Sequence, residues 1–234
     1  MNTYYYFNNP KLPIYVTDKT IEITPYTFNK NGDLWEQQSL YQFFSKIDNK
    51  NYNIVDIGGQ SGLYSLYAKY LPNSTFYTFE PFIDTFNLLN DNLILNKVTN
   101  VKTYNIGMSD TSGIAILNTS INHNGLHTMG KTPLRFNDIK TIKIETDTLD
   151  NCFYHKNIHV DYIKIDTEGW EYNILKGGAF TIKKYRPIIQ LEWNVTNMAQ
   201  CSTNENDLLN LLLEYDYYEH SMVEEEKLFY PNKH

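Results

Sequence analysis

Apolar residues in this chain fall into short runs that end on polar residues, and the runs are separated by Gly, Asn, Pro and Asp. Five runs read as strands: residues 52–57, 75–80, 101–106, 161–166 and 187–192. Between them, helical spacing predicts helices over 63–70, over 84–95 with Phe86, Leu89 and Leu93 inward, from 171 to 175, and over 205–215. Gly177-Gly178 interrupts the third of these helices. Residues 114–117 and 140–146 suggest an inserted hairpin or arm, with a loop over 122–130, and residues 217–223 and 227–230 suggest a closing hairpin. At the start, 14–16 and 20–24 read as a pair of short strands, and Asp33 is placed to cap a helix over 34–47. The alternation predicts an α/β fold, a parallel-dominated sheet with helices on both faces. Residues 1–47 form an N-terminal elaboration and 48–234 the main domain.

The first strand runs into Asp56-Ile-Gly-Gly-Gln-Ser-Gly62, and the second ends in Glu80-Pro-Phe82. Such a strand–turn–helix–strand unit leaves a nucleotide-sized crevice at its strand ends. The D-x-G-x-x-x-G spacing departs from the G-x-G-x-x-G of dinucleotide folds. It resembles the first motif of S-adenosylmethionine (SAM)-dependent methyltransferases. Glycine permits a tight turn and close backbone approach, and the helix N-terminus that follows suits a ligand carboxylate. Asp56 is placed to hold an ammonium, and Gly58, Gly59 and Gly62 to shape the loop. A plain connecting turn is the structural alternative. Glu80 is placed to accept ribose hydroxyls, with charge-assisted bonds worth roughly 1.5–3 kcal/mol each. Pro81 and Phe82 follow it, and Ser109 and Asp110 stand where an adenine edge would arrive. Phe79 reads as core.

Further acids close the later strands. Asp166 ends the fourth, Glu168 lies on its turn, and Glu192 ends the fifth, just before Trp193. Crowded acids imply a cation or a shared proton. Helix capping by Asp166 or Thr167 is the competing explanation. Convergence of Asp166, Glu168 and Glu192 would create a hard-oxygen site suited to Mg²⁺ or Ca²⁺.

Composition narrows the partners. The chain has 234 residues, 41% of them hydrophobic, and a net charge of −7. That is enough for one domain with a real core, and no apolar run approaches the ~20 residues of a membrane span. The acidic balance and scattered cations make nucleic acid an unlikely partner. The first residues lack the pattern of a signal peptide. Cys152 and Cys201 suggest neither a disulfide framework nor a metal cluster, which fits a reducing, cytoplasmic setting. Richness in Asn, Tyr, Ile and Lys suggests AT-rich coding, as in a low-GC bacterium, a protist or a large DNA virus; for a virus, the setting would be the host cytoplasm.

The motifs together resemble the FkbM family of SAM-dependent methyltransferases. The resemblance is carried by Val55-Asp-Ile-Gly-Gly-Gln-Ser-Gly-Leu-Tyr-Ser65, Phe79-Glu-Pro81, Gly107-Met-Ser-Asp110, Asp161-Tyr-Ile-Lys-Ile-Asp-Thr-Glu-Gly-Trp-Glu171, Leu175-Lys-Gly-Gly178 and Arg186-Pro187 followed by Glu192, in that order. It covers about residues 52–194. It implies a class I methyltransferase fold, a seven-stranded mixed sheet, with methyl transfer from SAM to oxygen, commonly on a sugar or a polyketide-type product. Asp56, Gly58, Gly62 and Glu80 match its cofactor motif, Asp166 and Glu168 its acidic block, and Glu192 its strand-five acid. There are departures. Gly59-Gln60 stands where members often have Ala-Asn, Phe82 replaces a frequent polar residue, and Trp170 occupies a position often held by His or another aromatic.

The expected activity is therefore O-methylation of a sugar, glycan or related small molecule, a nucleotide sugar among them. Glu168 would be the base, with Asp166 and Glu192 orienting the acceptor and Mg²⁺ as a candidate helper. His127 is a second candidate base. Trp170 and Trp193 are expected near the acceptor. An NAD-dependent oxidoreductase and a non-catalytic SAM-binding scaffold are the alternatives. The N-terminal segment is placed either to cover the active site or to pair with a second subunit in a homo-oligomer.

Overall fold

The computed structural model describes residues 2–8, 11–23, 27, 34–45, 47, 48, 50–120, 127–130 and 139–232. In chain order the elements are β1 (Asn2–Asn8), β2 (Lys11–Thr17), α1 (Asp18–Ile23), α2 (Gln37–Phe44), β3 (Asn53–Ile57), β4 (Thr75–Phe79), α3 (Ile83–Leu95) and β5 (Val101–Tyr104). There follow β6 (Gly107–Met108), β7 (Gly113–Ser120), β8 (Ile139–Asp147), β9 (Tyr162–Ile165), α4 (Glu171–Lys176), α5 (Ala179–Tyr185) and β10 (Ile188–Glu192). The chain ends with α6 (Val195–Gln200), α7 (Glu205–Glu214), β11 (Tyr217–Val223) and β12 (Glu226–Pro231).

Seven strands form the central sheet in the order β11-β12-β10-β9-β3-β4-β5. The pairs β10–β9, β9–β3, β3–β4 and β4–β5 are parallel, whereas β12 runs antiparallel to both of its neighbours. The fold is thus the expected α/β fold with a seven-stranded mixed sheet. Alternate side chains of one strand enter different cores, as the two-residue period of a strand requires. Val55, Ile57, Ile163, Ile165, Ile189 and Leu191 pack with residues of α4, α5 and α7. Ile54, Phe76 and Tyr162 pack with α2, α3 and the β1–β2 hairpin.

The inserted hairpin is present as β7 and β8, with β6 joining β8 to give a separate three-stranded sheet. The helix break at Gly177-Gly178 separates α4 from α5. A Cβ on Gly177 would lie 2.1 Å from the Ser109 carbonyl oxygen, so glycine lets this corner approach the loop after β6.

The N-terminal region corrects two expectations. Residues 14–16 lie in β2, whose partner is β1 and not the stretch beginning at Thr20, and that stretch is helical rather than extended. The Thr17 hydroxyl accepts the Thr20 N–H at 3.1 Å, an N-cap interaction that overrides the β-branched alternation. The next helix spans only Gln37–Phe44, because Glu36 holds a left-handed φ of 54° that a right-handed helix cannot include. Thr24, Asp33 and residues 122–126 lie outside the described residues.

Candidate active site

Polar residues interrupt the apolar strands along one line. In register, Thr78 of β4, Asp56 of β3, Lys164 of β9 and Gln190 of β10 stand side by side. The 3₁₀ turn Ser65–Tyr70 and the residue before it cover this row. Ser65 donates its hydroxyl to Asp56 at 2.7 Å, and Gln190 donates to the Tyr64 hydroxyl at 2.8 Å. The Lys164 ammonium lies 4.6 Å from the Tyr64 ring centre and 2.9 Å from Asp166 Oδ2. Burial alone would lower the Lys164 pKa, but the charges of Asp166, Glu226, Asp56 and Glu36 outweigh it and hold the ammonium protonated.

A cavity of about 400 Å³ opens at the C-terminal ends of these strands. Its wall includes Asp56, Gly58, Gly59, Glu80 and Pro81 on one side and Asp166, Glu168 and Glu192 on the other, with His127 also present. Nine candidates chosen from the sequence therefore meet in one space. Gly62, Phe82, Ser109 and Asp110 are not part of this wall. Gly62 backs onto Leu89 of α3, and Phe82 starts α3. Ser109 accepts the Trp170 indole N–H at 3.1 Å, and Asp110 pairs with Lys176 at 3.3 Å.

The side around Asp56 and Glu80 is built on a glycine turn. Gly58 has φ +80°, and a Cβ there would lie 1.8 Å from the Asp166 carbonyl oxygen, so only glycine lets the loop pass this strand end. Glu80, 5% exposed, accepts the Gln60 N–H at 2.9 Å and the Phe82 N–H at 2.8 Å. Burial nevertheless pushes its carboxyl up to about 7. Asp56 is 2% exposed, and its Oδ1 is a buried oxygen without a hydrogen-bond partner among the described residues. Burial raises its pKa as well. An orphaned acceptor beside a glycine turn fits the ammonium of an amino-acid ligand.

The opposite side is crowded with acids. Oxygens of Asp166, Glu168 and Glu192 lie within 4.8 Å of one another, and so do those of Glu36, Asp166 and Glu226. Neither Asp166 nor Thr167 caps α4; its N-cap is Trp170, without a side-chain cap. Instead Glu171 accepts the Thr167 N–H and hydroxyl and the Gly169 N–H, at 3.0, 2.9 and 3.3 Å, and so closes the turn. Glu168 sits in that turn with φ 55°. Its N–H donates to Glu192 at 3.2 Å, and the Asn197 amide donates to Glu168 at 2.6 Å and to Glu192 at 3.2 Å. Burial raises the Glu192 pKa well above the usual range, and Glu168 and Asp166 push it further.

Several site residues escaped the sequence reading. Lys164 was visible as a charge inside an apolar strand. Asn197 and Glu226 carried no local signal. Trp35, 60% exposed, lines the cavity, whereas Trp170 and Trp193 do not. Trp193 is buried and donates its indole N–H to Glu205 at 2.6 Å. Burial lowers the His127 pKa to about 4, so the imidazole is neutral near pH 7. Burial also raises the Cys152 and Cys201 thiols to about 12 and about 11, which leaves neither as a ready thiolate. Both cysteines are free. Among the described residues no helix is long and apolar enough to cross a membrane.

The sheet order and the crevice at its strand ends define the class: an α/β fold of the class I SAM-dependent methyltransferases. The profile of the methyltransferase FkbM domain matches residues 56–218, and the chain belongs to that family. Among solved structures, the methyltransferase FkbM from Methylobacillus flagellatus KT is similar with a TM-score of 0.55 at 18% identity, over 84% of this chain and 46% of that one. This chain thus spans under half the length of that relative. A ribosomal protein L11 methylase from Lactobacillus delbrueckii subsp. bulgaricus is similar with a TM-score of 0.51 at 10% identity, over 86% of this chain and 81% of that one. At these identities the likeness is one of fold. No curated protein matches the chain.

Proposed function

We propose that this protein is a SAM-dependent O-methyltransferase acting on a hydroxyl of a sugar, glycan or related small molecule. The observation that carries the reading is the single cavity joining the Asp56–Glu80 side to the Asp166–Glu168–Glu192 side. Asp56 would take the ammonium of SAM on its orphaned oxygen, and Glu80 the ribose hydroxyls. Pro81 and Met108 would border the base, whereas Phe82, Ser109 and Asp110 lie outside the cavity lining. Bound there, SAM supplies an electrophilic methyl group.

A sugar hydroxyl needs a base at neutral pH. Glu168 takes its proton, held in place by the Asn197 amide. Glu192, whose pKa is raised by burial, orients the acceptor together with Asp166. His127 is a poor base, because burial lowers its pKa to about 4. Seven carboxylates line the cavity: Glu36, Asp56, Glu80, Asp166, Glu168, Glu192 and Glu225, with Lys164 as the one lysine or arginine. That charge favours a neutral polyol over the diphosphate of a nucleotide sugar.

Calorimetric titration with SAM, S-adenosylhomocysteine and NAD tests the cofactor. The sulfur compounds should bind and NAD should not. NAD binding alone would move the assignment to an oxidoreductase. With an accepted glycan, Glu168→Gln should lower turnover by about 100-fold with SAM affinity nearly unchanged. Full turnover would remove Glu168 as the base. SAM binding without turnover on any sugar would favour a scaffold.

A further inference from the structure

We infer that Glu36, Asp166 and Glu226 form a site for a hard divalent cation, Mg²⁺, Mn²⁺ or Ca²⁺, which ties the segment before α2 to the edge of the central sheet. Each residue offers a carboxylate oxygen, and the three oxygens lie within 4.8 Å of one another. Donors of this type, without sulfur or imidazole, suit hard cations.

The observation beyond proximity is Glu226. It is 1% exposed, and among the described residues neither of its carboxylate oxygens has a hydrogen-bond partner. A buried carboxylate with no donor is costly unless a cation or a proton meets it. Lys164 meets part of the need, but its hydrogen bond goes to Asp166 Oδ2. Three carboxylates against one ammonium leave a formal excess of two negative charges, which one divalent ion balances.

The contrast with the neighbouring triad decides where an ion belongs. Asp166, Glu168 and Glu192 are equally close, but Glu192 already accepts the Glu168 N–H and the Asn197 amide, and Glu168 accepts the same amide. Their charge is partly met by donors, while that of Glu226 is not. Access is also present, because Glu36 and Asp166 line the cavity.

The fold holds the ligands in place without the ion. Glu224, in the β11–β12 turn, accepts the Ser39 N–H at 3.1 Å and the Ser39 hydroxyl at 2.6 Å. This clasp brings α2, which begins one residue after Glu36, against the turn that precedes Glu226. The cation would complete the clasp and set the wall that carries Trp35. Because Asp166 belongs to both triads, the ion also sets the orientation of a residue facing the acceptor.

The test is Mn²⁺ titration of the full chain followed by electron paramagnetic resonance of free Mn²⁺, with Mg²⁺ and Ca²⁺ as competitors. It reads metal binding and does not depend on methyl transfer. Wild-type protein should bind one Mn²⁺. Glu226→Gln and Glu36→Gln should each weaken binding by about tenfold or more, while Glu192→Gln stays within about threefold. Circular dichroism confirms that each variant is folded, and if Glu226→Gln is not, Glu36→Gln at its partly exposed turn carries the decision. Absence of binding by folded wild-type protein overturns the site. So does loss in Glu192→Gln that equals or exceeds the loss in the other two.

Discussion

The two walls of the cavity treat their carboxylates differently. On the wall that we propose as the cofactor wall, Glu80 accepts two backbone N–H groups and Asp56 accepts a serine hydroxyl. On the opposite wall, which we propose takes the acceptor, two carboxylate triads share Asp166, and the donors that reach them include a lysine, an asparagine amide, the Trp35 side chain and one backbone N–H. On the first wall Asp56 Oδ1 is the carboxylate oxygen without a donor among the described residues. The second stores electrostatic repulsion that a cation, a proton or an acceptor hydroxyl relieves. A methyl donor keeps one shape across many reactions and suits the first arrangement. An acceptor whose proton must leave suits the second.

The walls touch at Gly58, so the largest effect is expected there. A methyl group at this position would sit 1.8 Å from the Asp166 carbonyl oxygen, and the φ of +80° is strained for alanine. Gly58→Ala must push the glycine loop away from β9. We expect a loss of about 2 kcal/mol or more in urea unfolding, with S-adenosylhomocysteine affinity reduced by about tenfold or more. An unchanged unfolding midpoint would show that the walls are not braced at this point.

The cofactor wall was the more legible from sequence, and the reason is physical. Its parts lie close together in the chain: a strand, a glycine turn and an acid at the next strand end leave a local pattern. The five parallel strands of the sheet followed from the same alternation. The acceptor wall is assembled from distant segments. Asp166, Glu168 and Glu192 were visible because strand ends converge. Glu36, Asn197 and Glu226 join them only through the path of α2, α6 and the terminal hairpin, which no spacing encodes. The helix at Thr20 was missed because one hydroxyl cap outweighed a strand-like alternation. The tryptophans were misplaced because proximity in sequence to Glu168 and Glu192 says nothing about which way a ring turns.

Glu80 sharpens the comparison through pH. Its carboxyl titrates near 4.5 in an unfolded chain and is pushed up to about 7 by burial in the folded one. Below 4.5 both states hold the proton. Between 4.5 and about 7 the unfolded chain releases it first, so the free protein loses stability as pH rises. Above about 7 both are ionised and the slope ends. Glu171, also raised to about 7 by burial, adds to the same window. Glu80→Gln should therefore flatten part of the fall in melting temperature over this range. If ribose hydroxyls donate to ionised Glu80, wild-type SAM affinity should rise over the same window and then level. A melting temperature that climbs with pH, with no difference in Glu80→Gln, would contradict the burial argument.

The smallest effect is expected at Trp170, which decides to which wall that residue belongs. Its position next to Glu168 and Gly169 suggests stacking on an acceptor. Its indole N–H instead donates to Ser109, whose own N–H donates to the Asp147 carbonyl oxygen at 2.9 Å. Trp170 therefore fastens the loop after β6, outside the cavity lining. Trp170→Phe keeps most of the ring area and removes one partly buried hydrogen bond, a loss of about 0.5–1.5 kcal/mol in stability. Acceptor KM should stay within about threefold, because no ring face is withdrawn from the cavity. Trp35, which does line the cavity, is the matched control: Trp35→Ala should raise acceptor KM more than Trp170→Phe does. The reverse order would place the Trp170 ring on the acceptor and require the loop around Ser109 to move when the acceptor binds.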